Sequence, residues 1–294
     1  KELKFRSLEE TLRVPATDGL AAFFGPQHPD QGAWEQGAGK TIHLLFACAL
    51  QFYDEKGKWP ELHNEDDSRA FTSMFRKMND ENKKLQDEFN AFENTDEEKR
   101  QKEEMPAGMN QTCVVENLDT KRINGYSWYF NSELTGYCAF LGGVAAQEVV
   151  KKFGKYTPIY QWLHCDHIQL IGNEVPSDAI PQHSRYDHQI SIFGKSFQKV
   201  LADQRIFLVG TGALGCEYLK GLALMGVACG VNGKVTCTDM DRIEISNLSR
   251  QFLFRARHVG QPKSITAAAA AKEMNPAFNV EALEMKVWPE TEDK

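Results

Sequence analysis

Apolar residues recur at helical spacing through the first half of the chain and shift to short runs in the last third. From Thr41 to Tyr53, the residues Ile42, Leu45, Phe46, Ala49 and Tyr53 mark one face of a helix. Ala70, Phe71, Met74, Phe75 and Met78 mark a second helix. Glu133 to Phe153 predicts a third, with Leu134, Tyr137, Cys138, Leu141, Ala145 and Val149 on its apolar stripe. Gly142-Gly143 interrupts that helix, and interior glycines each weaken a helix by ~1 kcal/mol, so close packing is the expected reason for them. Ile159 to Leu163 predicts a short buried strand, residues 1–40 read as irregular, and residues 172–183 read as a linker.

The last hundred or so residues alternate between two periods. Arg205 to Val209 predicts a strand, Ala213 to Met225 a helix and Val235 to Thr238 a strand. Lys263 to Met274 then predicts a helix stopped by Asn275-Pro276, and Val280 to Met285 a third strand. Strands separated by crossover helices imply an α/β fold with a Rossmann-like parallel sheet.

Composition narrows the function classes. Hydrophobic residues are 41% and charged residues 26%, ordinary for a globular protein, and the formal charge of −7 argues against nucleic acid or a membrane surface as partner. No apolar run approaches the ~20 residues of a membrane helix. Seven cysteines without a C-x-x-C pair read as reduced thiols, as in the cytosol or nucleus. No signal peptide is visible, but the chain starts with Lys1, so missing targeting signals exclude little. Residues 80–104 are mainly acidic and read as a solvated helix or disordered insertion, with an acidic docking surface as the competing reading.

The strongest chemical signal is Gly210-Thr211-Gly212-Ala213-Leu214-Gly215, a G-x-G-x-x-G between a strand and a helix. The first glycine permits the tight turn, the second lets backbone approach a phosphate, and the third lets the helix pack closely. The helix start offers free N–H groups to an anion. A plain tight turn is the competing reading. Asp239 ends the second strand, where a carboxylate can accept hydrogen bonds from ribose hydroxyls. Asp241 is the alternative for that role, or a cap for the following turn. Up to this point an NAD-dependent dehydrogenase fits equally well. Asn247, Arg250 and Gln251 follow, and Lys263 opens the next helix; two cations near a phosphate cradle suit a triphosphate better than a dinucleotide.

The run from Gly210 to Glu217, with Thr238-Asp239-Met240-Asp241, Ser246 to Arg255 and Lys263-Ser264, closely resembles eukaryotic ubiquitin-activating enzymes. Upstream, Arg185-Tyr186-Asp187-His188-Gln189 resembles that family's entry into its active adenylation domain. Leu141 to Lys151 and Tyr160 to Leu163 resemble the end of its inactive, pseudosymmetric one, and Phe5-Arg6-Ser7-Leu8 the return into it after a helical insertion. The resemblance implies two adenylation domains, each partly present: residues 1–183 as the C-terminal part of the inactive one, with a charged insertion at 80–110, and residues 184–294 as the N-terminal part of the active one. It implies ATP and Mg2+, and ubiquitin or a related modifier as substrate. The modifier's C-terminal carboxylate would attack the α-phosphate to give an acyl-adenylate, and a downstream cysteine would take the acyl group as a thioester. Conjugating enzymes would be further partners, with no nucleic acid or membrane, and the location would be cytoplasm and nucleus. By resemblance Asp239 binds ribose, Ala213 lies against the nucleotide, and Gly210, Gly212, Gly215, Asn247, Arg250, Gln251 and Lys263 surround the phosphates, with Arg250 and Lys263 carrying the catalytic charge. The family's metal-binding aspartate, acceptor cysteine and incoming arginine are expected outside these residues. The alternatives are a non-catalytic subunit of a related two-chain enzyme, and a nicotinamide-dependent oxidoreductase.

Other residues invite readings that weigh less. Cys216 at a helix start is expected to be packing rather than a nucleophile. In His164-Cys165-Asp166-His167, strand alternation would let only two side chains converge, short of a metal site. Trp34, Trp59, Trp128 and Trp162 read as core or loop anchors.

Overall fold

The structure, a computed structural model, describes residues 7–13, 22–24, 38–91, 113–116, 118, 120–159, 162–165 and 174–291. The chain divides into two compact units, residues 1–132 with 145–175, and residues 133–144 with 176–294.

In the first unit, α1 (Leu8–Arg13), β1 (Ala22–Phe24), α2 (Ala38–Lys56), α3 (Glu65–Ala91) and α4 (Thr120–Tyr129) precede β2 (Leu163–Cys165), which pairs in parallel with β1. Residues 1–40, expected to be irregular, thus contain a helix, a strand and the start of α2; glycine spacing marked breaks but could not show which short segments find partners. The strand expected at Ile159 to Leu163 instead begins at Leu163, because its register is set by pairing Leu163 with Ala22.

The α2 core face is Leu44, Leu45, Cys48, Ala49 and Phe52, packed with Phe71, Phe75, Cys113, Val115 and Ile123. That face is rotated from the stripe read in the sequence: Phe46 and Tyr53 are exposed. The helix is apolar around much of its circumference, so its neighbours choose the buried side. α3 starts at a cap, where the Asn64 side-chain oxygen accepts the N–H groups of Asp66 and Asp67 at 3.0 Å each. Its buried face includes polar side chains. Asn79 pairs with the Val115 backbone in both directions, at 2.9 and 2.8 Å, and Thr72 donates to the Asn124 side-chain oxygen at 2.7 Å.

α5 (Thr135–Lys151) carries no buried residue. Its expected apolar stripe is exposed at Leu141 and Val149, and a Cβ on Gly142 or Gly143 would meet nothing within 4 Å. The glycine pair therefore serves no close approach among the described residues.

The second unit contains α6 (Asp187–Ala202), β3 (Arg205–Val209), α7 (Ala213–Met225), β4 (Lys234–Thr238), α8 (Lys263–Met274) and β5 (Val280–Leu283). The strands form a parallel sheet in the order β3-β4-β5, joined by α7 and α8 as the alternation requires. Its core joins Cys216, Leu219 and Ala223 of α7 to Ala267, Ala268 and Ala271 of α8 and to Val235 and Cys237 of β4. Small residues on both helices permit this close layer. α6 is two helical pieces joined at Gly194, whose φ is +83°. The Asp178 carboxylate accepts the Ser196 N–H at 2.6 Å and so caps the second piece. The sequence pattern does not predict α6, since each piece on either side of Gly194 is too short to show a helical period.

Candidate functional site

The site is assembled at the C-terminal ends of β3 and β4, where the glycine loop leads into α7. Gly210 has φ +88°, a conformation that disfavours any side chain, and its N–H donates to the Thr238 carbonyl at 2.8 Å. A Cβ on Gly215 would stand 2.1 Å from the Gly210 carbonyl oxygen, so the first turn of α7 rests directly on the loop backbone. Gly212 differs. Its φ is −72°, and the nearest atom to a Cβ there would be the Gln251 side-chain nitrogen at 3.9 Å. A positive φ accounts for glycine at 210 and a crowded Cβ position for glycine at 215, while neither applies at 212.

Asp239 clamps this loop. One carboxylate oxygen accepts the Thr211 N–H at 2.8 Å and the Thr211 hydroxyl at 3.2 Å; the other accepts the Asp241 N–H at 2.9 Å. A carboxylate offers about four acceptor positions, so capacity remains for a further donor. Thr211 is fully buried, which makes the clamp part of the loop's structure as well as a possible ligand contact.

Asp241 faces Lys263, with Nζ 2.8 Å from the carboxylate, and the Lys263 N–H donates to the Asp241 carbonyl at 3.0 Å. Lys263 is the first residue of α8 and is buried, whereas the Asp241 side chain is half exposed. Ser264, wholly buried, donates its hydroxyl to the Asp239 carbonyl at 3.4 Å and extends the link between α8 and the end of β4.

Between these strands and α8 lies the turn Ile245–Ser249. Asn247 is buried, and its side-chain oxygen accepts the Glu244 N–H at 3.0 Å, so it shapes the turn. Gln251 is buried beside Gly212, and its side-chain oxygen has no hydrogen-bond partner. Such a buried acceptor is uncommon in folded proteins. Arg250 is exposed and folds back, its guanidinium donating to the Ser246 carbonyl at 3.0 Å.

The structure therefore brings together Gly210, Gly212, Gly215, Asp239, Gln251 and Lys263, with Ala213 half-buried at the start of α7. Asn247 acts through the turn, and Arg250 rests on that turn's backbone. Thr211 and Ser264 are parts of the site to which the sequence assigns no role, and Asp241, the alternative ribose carboxylate or turn cap, is instead the partner of Lys263. A hydroxyl residue between the two glycines was the available signal for Thr211.

Cys216 is fully buried, its N–H donates to the Gly212 carbonyl, and burial pushes its thiol up to about 11. A thiol held protonated in this way is packing, not a nucleophile. In the first unit His164 hydrogen-bonds His43, with ring nitrogens 3.2 Å apart; Asp166, His167 and Trp34 lie outside the described residues. Among the described residues no three His, Cys, Asp or Glu side chains converge as a metal would require, and no helix is long and apolar enough to cross a membrane.

Residues 186–294 match the model of the ThiF family. The whole chain aligns with ubiquitin-activating enzyme E1 1 of Arabidopsis thaliana at 39% identity, covering 100% of this chain and 24% of that protein. It aligns with ubiquitin-like modifier-activating enzyme 1 of Homo sapiens at 34% identity, covering 99% of this chain and 24% of that one. The chain thus spans about a quarter of the length of the curated relatives it matches. Among solved structures, the E. coli tRNA N6-threonylcarbamoyladenosine dehydratase in complex with ATP is 27% identical over 36% of this chain and 42% of that chain, with a TM-score of 0.33.

Proposed function

We propose that this chain, whose residues 186–294 match the ThiF family and which aligns along its length with ubiquitin-activating enzymes, supplies part of an ATP site for adenylation of a modifier's C-terminal carboxylate. The observation that carries this is the joining of the Gly210–Gly215 loop, Asp239 and the buried Lys263 through one chain of hydrogen bonds at the strand ends. Two further features support it: open space beside Gly212 where no side chain crowds the backbone, and a buried Gln251 oxygen left without a donor beside it.

ATP as substrate supplies an α-phosphorus that a carboxylate can attack with loss of pyrophosphate. The residues of this chain position and neutralise. Gly212 and the first-turn N–H groups of α7 would receive phosphate oxygens, since those groups lack intrahelical acceptors. Asp239 would accept from the ribose with its remaining lone pairs while holding the loop. Gln251 would meet a donor, Asn247 would hold the turn that presents it, and Lys263 would offset phosphate charge from a fixed position. Arg250 would contribute after turning away from Ser246. Electrostatic preorganisation of this kind is a major source of rate enhancement where no protein nucleophile takes part. The described residues do not by themselves supply the oxygen ligands that Mg2+ needs.

On this reading residues 1–183 belong to an inactive adenylation domain and 184–294 to an active one. Transfer to a cysteine elsewhere in the longer protein follows. The partners are ubiquitin or a related modifier and its conjugating enzymes, in the cytoplasm and nucleus. The test is exchange of labelled pyrophosphate into ATP by the longer protein, with and without ubiquitin. Exchange that requires a modifier supports the reading; folded protein that exchanges with no modifier tried, or oxidises substrates with a nicotinamide cofactor, overturns it.

A further inference from the structure

Beyond the glycine loop, the second unit has a cavity of about 320 Å³ lined by Leu253, Arg255, Arg257 and His258 on one side and by residues of α8, including Ile265 and Ala269, on the other. Apolar side chains make up much of its lining, while Arg255, Arg257, His258 and Gln261 carry nitrogen donors, two of them cations, and only Glu273 is acidic. In a chain of formal charge −7 this is a local reversal of sign.

His258 stands between two donors: the Arg255 N–H donates to its Nδ1 at 3.2 Å, closing the cap of the turn Ala256–His258, and Arg257 Nε donates to its Nε2 at 3.2 Å. A neutral imidazole accepts at only one ring nitrogen, so the two compete for it, and the Arg257 fork keeps its terminal N–H groups for an anion. Arg255 donates from its side chain to the Phe252 and Phe254 carbonyls and carries its charge along the same surface. Its guanidinium carbon stands 5.4 Å from the centre of the exposed Phe252 ring, and Lys220 Nζ lies 4.8 Å from the same ring. Cavity, cations and exposed aromatic are thus contiguous through Arg255.

We infer that this surface docks a partner protein through an extended segment in which acidic residues flank large apolar ones. One apolar side chain would enter the cavity, a carboxylate would meet the terminal N–H groups of Arg257, and a second apolar side chain would cover Phe252. A cavity of this size holds one or two side chains, and a segment reaching both it and Phe252 is longer than a small ligand. Charge complementarity selects the acidic class.

The test is fluorescence anisotropy of labelled peptides on the intact chain, with no nucleotide added. The probe alternates Glu with Leu and Phe; the controls replace Glu by Lys or the apolar residues by Ala. The inference expects saturable binding of the probe, at least about tenfold weaker for either control. Arg257→Glu should weaken binding about tenfold or more and reduce its dependence on salt. Ala269→Trp, which fills the cavity from an exposed helix position, should do the same without changing the thermal melt. Equal binding of the Lys control, or variants that are folded by circular dichroism and bind like the parent, would overturn it. So would octanoate at equal concentration displacing the probe completely, which would mark a small-carboxylate pocket. Because the readout needs no ATP, failure here leaves the adenylation reading standing, and the reverse also holds.

Discussion

Lys263 Nζ stands 2.8 Å from the Asp241 carboxylate, with the lysine buried at the start of α8 and the aspartate half exposed at the end of β4. The pair fixes a cation that the fold has already taken out of bulk water, and leaves its counter-ion partly solvated. Such a cation is held in place without being fully neutralised.

Lys263→Ala in the longer protein is therefore expected to lower modifier-dependent ATP–pyrophosphate exchange by about 10²–10³, the effect of losing one preorganised charge contact worth ~2.7–4 kcal/mol. The melting temperature should change little, since the pair is partly exposed and of modest net worth. Exchange at the parent rate would remove Lys263 from the mechanism.

The three glycines should separate by experiment. Gly215→Ala places a Cβ against the Gly210 carbonyl and should prevent stable folding of the second unit. Gly210→Ala should lower stability by about 1–2 kcal/mol through its positive φ. Gly212→Ala should melt like the parent yet bind ATP more weakly. A Gly212→Ala protein with unaltered ATP affinity, measured by isothermal calorimetry, would remove the phosphate from that position.

Asp239→Ala removes the acceptor for Thr211 and Asp241, in addition to any ribose contact. Hydrogen bonds to charged groups are each worth about 1.5–3 kcal/mol, so urea unfolding should show a loss of that order or more. The Michaelis constant for ATP should rise more than the turnover number falls, because the ribose is remote from the reacting phosphorus. A collapsed turnover number at unchanged Michaelis constant is the contrary result.

The first unit should weaken in mild acid. Burial, with the nearby His43 adding to it, lowers His164 to about 4 from an ordinary 6.5, and burial also lowers His43. The His164 ring stays neutral when folded and takes up a proton on unfolding, and His43 acts in the same direction. The His164 contribution is complete above pH about 6.5, falls as pH drops towards about 4, and then levels off. His164 alone contributes a loss of about 2–3 kcal/mol across that window. Urea titrations followed by tryptophan fluorescence at pH 7.5, 5.5 and 4.5 check it, and His164→Gln should flatten the dependence. A parent profile that is flat over this range would refute the assignment.

The sequence by itself determined the parallel-sheet half of this protein. Strand β3, helices α7 and α8 and the glycine loop lie where alternation and breakers put them, because each is bounded by local chemistry: glycines at 210 and 226, and a proline after Asn275. It also named the residues around the loop. What it could not give was decided by tertiary contact. Helix α4 shows little apolar rhythm because it meets α3 through Thr72–Asn124 and Ser68–Ser127 hydrogen bonds. The buried face of α2 was chosen by Phe71 and Phe75, not by its own periodicity. Within the site, Asp239 and Asp241 are two residues apart, and the sequence favours Asp239 for the ribose while leaving Asp241 as its alternative. Only the fold separates them: one carboxylate accepts the Thr211 N–H, the other faces a lysine 22 residues further along the chain. Local preference is written in neighbouring residues; pairing between distant ones depends on where the chain returns.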